Sequence, residues 1–149
     1  MTVDPPEVLL VEDNADDSAF VLHALAGAHL FPRLRRVSNG LEALTLLFGG
    51  HGRPPPDARP LFLPRLILLD LKLPWIDGIE VLRILKSNPR TQGIPVVVLS
   101  SSQQERDVVE SYESGANSYL VKPMEFDRFA EAVAALGRYW LEFNRTHGV

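Results

Sequence analysis

The chain has 149 residues, a formal net charge of −4 at pH 7 and no cysteine. This length suits one domain, placed over residues 1–149, and the missing cysteine excludes disulfides, thiol catalysis and thiolate metal sites. Interspersed charges argue against a nucleic-acid partner, and no apolar run reaches the roughly 18 residues of a membrane span. Because no basic stretch precedes the first apolar run, we expect a cytoplasmic protein.

The first half of the chain alternates short apolar runs with helical patterns. Residues 8–11 are apolar without alternation, which is typical of a strand buried on both faces of a parallel sheet. Residues 15–28 have apolar positions at helical spacing, and Asn14 is a good N-cap. The more polar residues 34–37 predict an edge strand, and residues 41–48 predict a short helix.

The second half continues the same alternation after an interruption. Prolines and glycines over about residues 49–64 predict one long surface loop before the third strand. Three further apolar runs, at residues 66–69, 96–99 and 119–121, are followed by helical patterns, and the last helix has an aromatic end. This order predicts an α/β fold with a doubly wound parallel sheet and helices on both faces.

Polar residues follow four of the predicted strands directly. They are Glu12 and Asp13, Asp70, Ser100 and Lys122, and the carboxyl ends of parallel strands are where such sheets place their sites. Three crowded carboxylates need a cation, and oxygen ligands suit Mg²⁺. A divalent ion and a lysine would also prepare the cluster for a phosphoryl group, which an aspartate can accept covalently. These residues predict a Mg²⁺-dependent aspartyl-phosphate site.

Four segments resemble the signature blocks of bacterial two-component response-regulator receiver domains, the CheY-like family: VEDN, LILLDLKLPWIDGIEVL, IPVVVLSSS and GANSYLVKP. The resemblance covers about residues 8–143. It implies a flavodoxin-like (βα)5 fold with five strands in the order 2-1-3-4-5 and a core over about residues 7–143. It also implies a signalling protein, not an enzyme, that accepts a phosphoryl group on Asp70 from a histidine kinase. Such a protein catalyses only its own phosphorylation and dephosphorylation.

The resemblance also assigns the metal ligands. Glu12 and Asp13 match the acidic pair that positions Mg²⁺ beside Asp70, and the backbone carbonyl of Lys72 matches a further ligand. The side chain of Lys72 is either solvated or reaches the phosphoryl group. Two more acids, at positions 16 and 17, we assign to the start of the first helix, where negative charge is favourable, and not to the metal.

The remaining site residues are a catalytic lysine, a switch pair whose serine also has a catalytic role, and a supporting proline. Lys122 matches the lysine that pairs with phosphoryl oxygens, and Ser100 and Tyr119 match the pair that moves inward on phosphorylation. Pro123 matches the proline that usually follows in a cis peptide, which would aim Lys122 toward the site. Ser100 could instead cap the fourth helix, although the triple serine at 100–102 offers other candidates for that cap.

A narrower resemblance rests on the long loop, the segment LDLKLPWIDGIEVL and the aromatic end GRYWLEF. They are similar to small single-domain response regulators that serve phytochrome histidine kinases, which implies a bacteriophytochrome as phosphodonor and a homodimer. The implied dimer face consists of helix 4, strand 5 and helix 5. Its candidate residues are Tyr112, Tyr119, Tyr139, Trp140 and Phe143. The alternative is that the terminal aromatics fold back on the sheet.

Three rival functions are weaker. An aspartate-nucleophile phosphatase would need a second aspartate two residues after the nucleophile, where Lys72 stands. A transcription factor would need a DNA-binding segment, and we expect none in the few residues after Phe143. A protein-interaction scaffold of receiver fold that signals without phosphorylation is the main alternative, although competent residues fill all the site positions.

Overall fold

The computed structural model describes residues 6–122 and 125–145. Within them, five parallel strands form one sheet in the order β2-β1-β3-β4-β5, which confirms the predicted fold. The strands are β1 Val8–Val11, β2 Leu34–Val37, β3 Leu66–Leu69, β4 Val96–Ser100 and β5 Ser118–Val121. Strand β1 pairs with both β2 and β3, and this central placement brings the first acidic residues next to the end of β3.

Five α-helices connect and follow the strands. They are α1 Ala15–Gly27, α2 Gly40–Phe48, α3 Gly78–Ser87, α4 Glu105–Glu113 and α5 Phe126–Arg138, and a π-helical segment, Tyr139–Phe143, continues α5. Side chains cap three of these helices, because Asn14, Asn39 and Asp77 each accept a hydrogen bond from a backbone N–H three residues on. In the part of the chain that the structure describes, no helix is long and apolar enough to cross a membrane.

The sheet separates two apolar clusters. One packs alternate residues of the strands, such as Leu9 and Ile67, against α2 and α3. The other packs the intervening residues, such as Leu10 and Leu68, against α1 and α5. All four residues are at most 1% exposed. Burial on both faces explains why the central strands are apolar runs without alternation.

The segment between α2 and β3 has no regular structure and lies against α3. The side-chain amide of Asn88 donates to the carbonyl of Ala58 at 2.8 Å, and Arg90 donates to the carbonyl of Asp57 at 2.8 Å. An ion pair between Arg53 and Glu80 adds a third attachment. The loop is therefore attached both through its backbone and through side chains, and Phe62 also packs against the core.

Candidate functional site

The site lies at the carboxyl edge of the sheet, one residue beyond the strands. The backbone N–H of Asp70 donates to the carbonyl of Val11 at 3.0 Å, and the backbone N–H of Lys122 donates to the carbonyl of Ser100 at 2.8 Å. The sheet ladder therefore continues through the first residue after each strand. The backbone of Asp70 and of Lys122 is therefore held by hydrogen bonds of the sheet, which fixes the position from which each side chain extends.

Three of the predicted residues form an acidic cluster. One carboxylate oxygen from each of Glu12, Asp13 and Asp70 lies within 4.8 Å of the others. Glu12 is 1% exposed, the side chain of Asp70 is 12% exposed, and Asp13 is open to solvent. Oxygen ligands that converge beside solvent fit Mg²⁺, which keeps several of its waters. The role of the Lys72 carbonyl as a further ligand stays a prediction.

Lys122 extends into this acidic cluster. Its ammonium group hydrogen-bonds to a Glu12 carboxylate oxygen, lies 2.9 Å from Oδ2 of Asp17 and lies 3.5 Å from Oδ2 of Asp70. One cation thus faces three carboxylates, of which Glu12 and Asp70 belong to the predicted site and Asp17 does not. Pro123, which we expected to aim this side chain, lies outside the described residues.

Burial and pairing shift the pKa values of Glu12 and Lys122. Burial raises the pKa of Glu12 to about 7; the hydrogen bond from Lys122 opposes this shift, and the negative charge of Asp70 adds to it. Burial acts to lower the pKa of Lys122, but its hydrogen bonds to Glu12 and Asp17 and the charge of Asp70 raise it above its ordinary value. Lys122 therefore stays charged at neutral pH, whereas Glu12 titrates there.

Asp17 corrects the assignment made from the sequence. It lies in the first turn of α1, as expected for a favourable charge at a helix start, and its N–H donates to Oδ1 of the N-cap residue Asn14. Its carboxylate, however, is a partner of Lys122 and not only a favourable charge at a helix start. The first turn of α1 begins directly after the acidic pair and so returns to the carboxyl edge of the sheet. That position is a sequence signal that Asp17 lies near the site, although it does not determine the direction of its side chain.

Arg36 is a second residue that sequence reasoning missed. From β2, its guanidinium donates to the carbonyl of Glu12 at 3.1 Å and to the carbonyl of Asp13 at 3.2 Å. A charged donor thus holds the backbone that presents the acidic pair. No motif marks it, because an arginine on an edge strand is ordinarily a solvated side chain.

The two predicted switch residues meet at a third residue, Ser102. Oγ of Ser100, which is 1% exposed, accepts a hydrogen bond from the N–H of Ser102 at 3.1 Å. The hydroxyl of Tyr119 donates to the carbonyl of Ser102 at 2.9 Å. The Ser102 hydroxyl in turn donates to the Asp107 carboxylate and accepts from the N–H of Gln104. Ser102, not Ser100, is therefore the serine that binds the start of α4.

The aromatic residues proposed for an interface differ in exposure. Tyr112, Tyr139 and Phe143 are 49%, 51% and 71% exposed. Trp140 is half-buried, packs on the cluster between the sheet and α1 and α5, and meets the Tyr139 ring edge to face at 5.1 Å. Of the three terminal aromatic residues, Trp140 therefore packs back on the protein, whereas Tyr139 and Phe143 expose apolar surface.

Comparison with known proteins gives consistent matches along nearly the whole chain. The family model of the response regulator receiver domain matches residues 8–134. FilR2 of Methanothrix harundinacea, named a probable methanogenesis regulatory protein, is 38% identical over 147 residues, which cover 97% of this chain and 90% of the relative. Response regulator Rcp1 of Synechocystis is 40% identical over 141 residues, which cover 93% of this chain and 91% of the relative.

Solved structures show the same similarity. The phosphorylated cyanobacterial phytochrome response regulator RcpA aligns with a TM-score of 0.81 at 36% identity, covering 96% of this chain and 99% of that one. The Mn²⁺-bound form of Rcp1 aligns with a TM-score of 0.80 at 38% identity, covering 96% of this chain and 99% of that one. A divalent ion is thus bound in a homologue of the same fold.

Proposed function

Because the chain belongs to the response regulator receiver family, we propose that Asp70 accepts a phosphoryl group from the phosphohistidine of a histidine kinase. One observation carries this proposal. Three carboxylates and one lysine, contributed by the ends of three strands, converge at the carboxyl edge of the sheet. No packing requirement of the fold explains three acids and a buried cation at one point, whereas phosphoryl transfer does.

The chemistry follows from the groups present. A carboxylate oxygen of Asp70 attacks phosphorus, the bond from phosphorus to the imidazole nitrogen breaks, and that nitrogen keeps the electron pair. Lys122 offers its ammonium hydrogens to the transferred oxygens. Glu12, Asp13, Asp70 and the carbonyl of Lys72 would hold Mg²⁺, whose charge would offset the negative charge that develops during transfer. In dephosphorylation a water oxygen attacks phosphorus, the bond between phosphorus and the Asp70 oxygen breaks, and phosphate leaves while Asp70 returns to its carboxylate form. The protein therefore catalyses only its own phosphorylation and dephosphorylation.

The signal then leaves through the switch pair. Oγ of Ser100 accepts a hydrogen bond from the N–H of Ser102 and donates none within the described residues, so its proton can be donated to a phosphoryl oxygen. Movement of Ser100 is transmitted to Tyr119, because both contact Ser102. The face formed by α4, β5 and α5 changes in consequence, as a shift between two populated conformations.

The partner we propose is a bacteriophytochrome histidine kinase, since RcpA is a phytochrome response regulator. We further propose a cytoplasmic protein that forms a homodimer through the α4-β5-α5 face. Exposed aromatic rings at that face, such as Tyr112, support the proposal, because aromatic side chains are enriched at interface centres. Analytical ultracentrifugation of wild type and Tyr112→Ser tests it, and an unchanged monomer in both would refute it.

Acetyl phosphate, with and without Mg²⁺, tests the central proposal through intact mass. Wild type should gain one phosphoryl group only when Mg²⁺ is present, and Asp70→Asn should gain none. Asp57→Asn, an exposed loop aspartate, is the matched control and should behave as wild type. If neither acetyl phosphate nor a phosphorylated histidine kinase labels wild type, the fold serves as a phosphorylation-independent scaffold.

A further inference from the structure

Among the carboxylates that the structure describes in contact with Lys122, Asp17 is the one that the proposed chemistry does not use. We propose that Asp17 is a positioning residue that competes with the phosphoacceptor for the Lys122 ammonium group, until the oxygens of a phosphoryl group on Asp70 take the place of Asp17. This inference rests on the proposed function, because it concerns the rate at which Asp70 is phosphorylated. It assigns a kinetic role to a side chain that makes no contact with Asp70 in the structure.

The distances around Lys122 support this role. Its ammonium group hydrogen-bonds to Glu12 and, at 2.9 Å, to Asp17, whereas Oδ2 of Asp70 lies at 3.5 Å. An ammonium group has three hydrogens to donate. Two are directed to residues other than the phosphoacceptor, and the contact to Asp70 is the longest of the three.

Asp17 does not belong to the metal cluster. Among the described residues, the acids whose oxygens come within 4.8 Å of one another are Glu12, Asp13 and Asp70. The Asp17 carboxylate is instead directed at Lys122, with 31% of its side chain exposed against 12% for Lys122. The negative charge of Asp17 is therefore paired with Lys122, and Asp17 can keep this contact when Glu12, Asp13 and Asp70 bind a metal ion.

The start of α1 holds this carboxylate in place. The Asp17 N–H donates to Oδ1 of Asn14 at 3.0 Å, and the Asn14 N–H donates to Oε2 of Glu12 at 3.2 Å. The N-cap residue Asn14 therefore links Glu12 and Asp17, the two carboxylates that hydrogen-bond to Lys122. A rigid acceptor on a helix restrains a flexible lysine more effectively than a mobile surface acid, because less side-chain entropy is lost.

Phosphorylation places new anionic oxygens on Asp70, and Lys122 can shorten its 3.5 Å contact on that side only by weakening one of its two present hydrogen bonds. Asp17 is the partner to lose, because it lies closer to solvent than Glu12 does. Removing the charge of Asp17 lowers the cost of that exchange. For a charge-assisted hydrogen bond that is partly exposed, we expect phosphorylation to be about fivefold faster.

The experiment compares Asp17→Asn with Asp16→Asn by labelling with acetyl phosphate and intact mass. Asp16 is an exposed acid in the same turn of α1, so its substitution removes the same charge without a contact to Lys122. We expect Asp17→Asn to be labelled about fivefold faster than wild type, and Asp16→Asn to remain within about twofold. Asp17→Ala should match Asp17→Asn, which separates loss of charge from a new amide contact.

A spectroscopic measurement separates positioning from a structural role. The chain has three lysines, Lys72, Lys86 and Lys122, so ¹⁵N-lysine labelling gives three side-chain signals. Asp17→Asn should shift the Nζ signal of Lys122, and Asp16→Asn should not. The signal of Lys86, which bonds to the carbonyl of Ile94, should stay unchanged if the fold is intact.

Each outcome decides between the two proposals. If wild type is labelled but Asp17→Asn is labelled no faster than Asp16→Asn, the positioning role is wrong and the proposed function stands. Slower labelling of Asp17→Asn with an unshifted Lys86 signal would mean that Asp17 assists Lys122, which also overturns the inference. If wild type is not labelled, the proposed function fails, and the Lys122 signal still shows whether the ion pair with Asp17 forms.

Discussion

Mg²⁺ affinity is expected to depend on pH through Glu12. This carboxylate is 1% exposed, and its burial raises its pKa from 4.5 to about 7. A metal ligand must be deprotonated, so proton and Mg²⁺ compete for the same group. Below this pKa, the deprotonated fraction of Glu12, which is the form that binds Mg²⁺, falls about tenfold per pH unit. Near pH 8, almost all of Glu12 is deprotonated.

The expected magnitude follows from that single competition. Between pH 6 and pH 8, the apparent Mg²⁺ affinity should rise about tenfold, with release of close to one proton near pH 6. Isothermal titration calorimetry at several pH values, in buffers of different protonation enthalpy, measures both quantities. Glu12→Gln is the matched control and should bind Mg²⁺ more weakly, with little dependence on pH over this range. An affinity of wild type that does not change between pH 6 and pH 8 would refute the reasoning.

The same shift predicts the pH dependence of stability without metal. A carboxyl group whose pKa is raised on folding binds its proton more tightly in the folded state. The free energy of unfolding therefore falls as the pH rises from 4.5 to about 7. The loss should be at most about 3 kcal/mol and should be complete above about pH 7. Urea unfolding at pH 5 and pH 8 measures it. Glu12→Gln should lack this loss; an equal loss in that variant would assign it to another group.

Two substitutions test the scaffold around the site. A Cβ atom on Gly78 would lie 2.2 Å from the carbonyl oxygen of Asp70, so Gly78→Ala should cost about 1–3 kcal/mol in urea unfolding and slow labelling of Asp70. Gly27→Ala, where nothing lies within 4 Å, should not lower stability. Tyr119→Phe removes the hydroxyl that binds the loop before α4 and should cost about 1 kcal/mol of unfolding free energy. Tyr112→Phe, on an exposed ring, should cost nothing measurable, and equal losses in both tyrosine variants would contradict this assignment.

The order of the elements and the position of the site could be predicted from the sequence, for two physical reasons. Strands buried on both faces must be apolar throughout, so residues 66–69 could be recognised without any alternation. The carboxyl ends of parallel strands share one edge, so Glu12, Asp70 and Lys122 had to meet there once their strands were parallel and adjacent. Strand ends are backbone positions, and a one-dimensional pattern identifies them.

Tertiary packing decided the direction of individual side chains. Whether Asp17 faces solvent or Lys122 depends on how α1 lies on the sheet, and its spacing from the acidic pair allows both. Trp140 and Phe143 have the same aromatic character, yet one packs on the core and the other is 71% exposed. Trp75 adopts a φ of 70°, a conformation that bulky residues rarely take and that no local preference predicts. Sequence patterns record which residues are apolar or charged, whereas the partner of each side chain depends on distances that exist only after the helices pack.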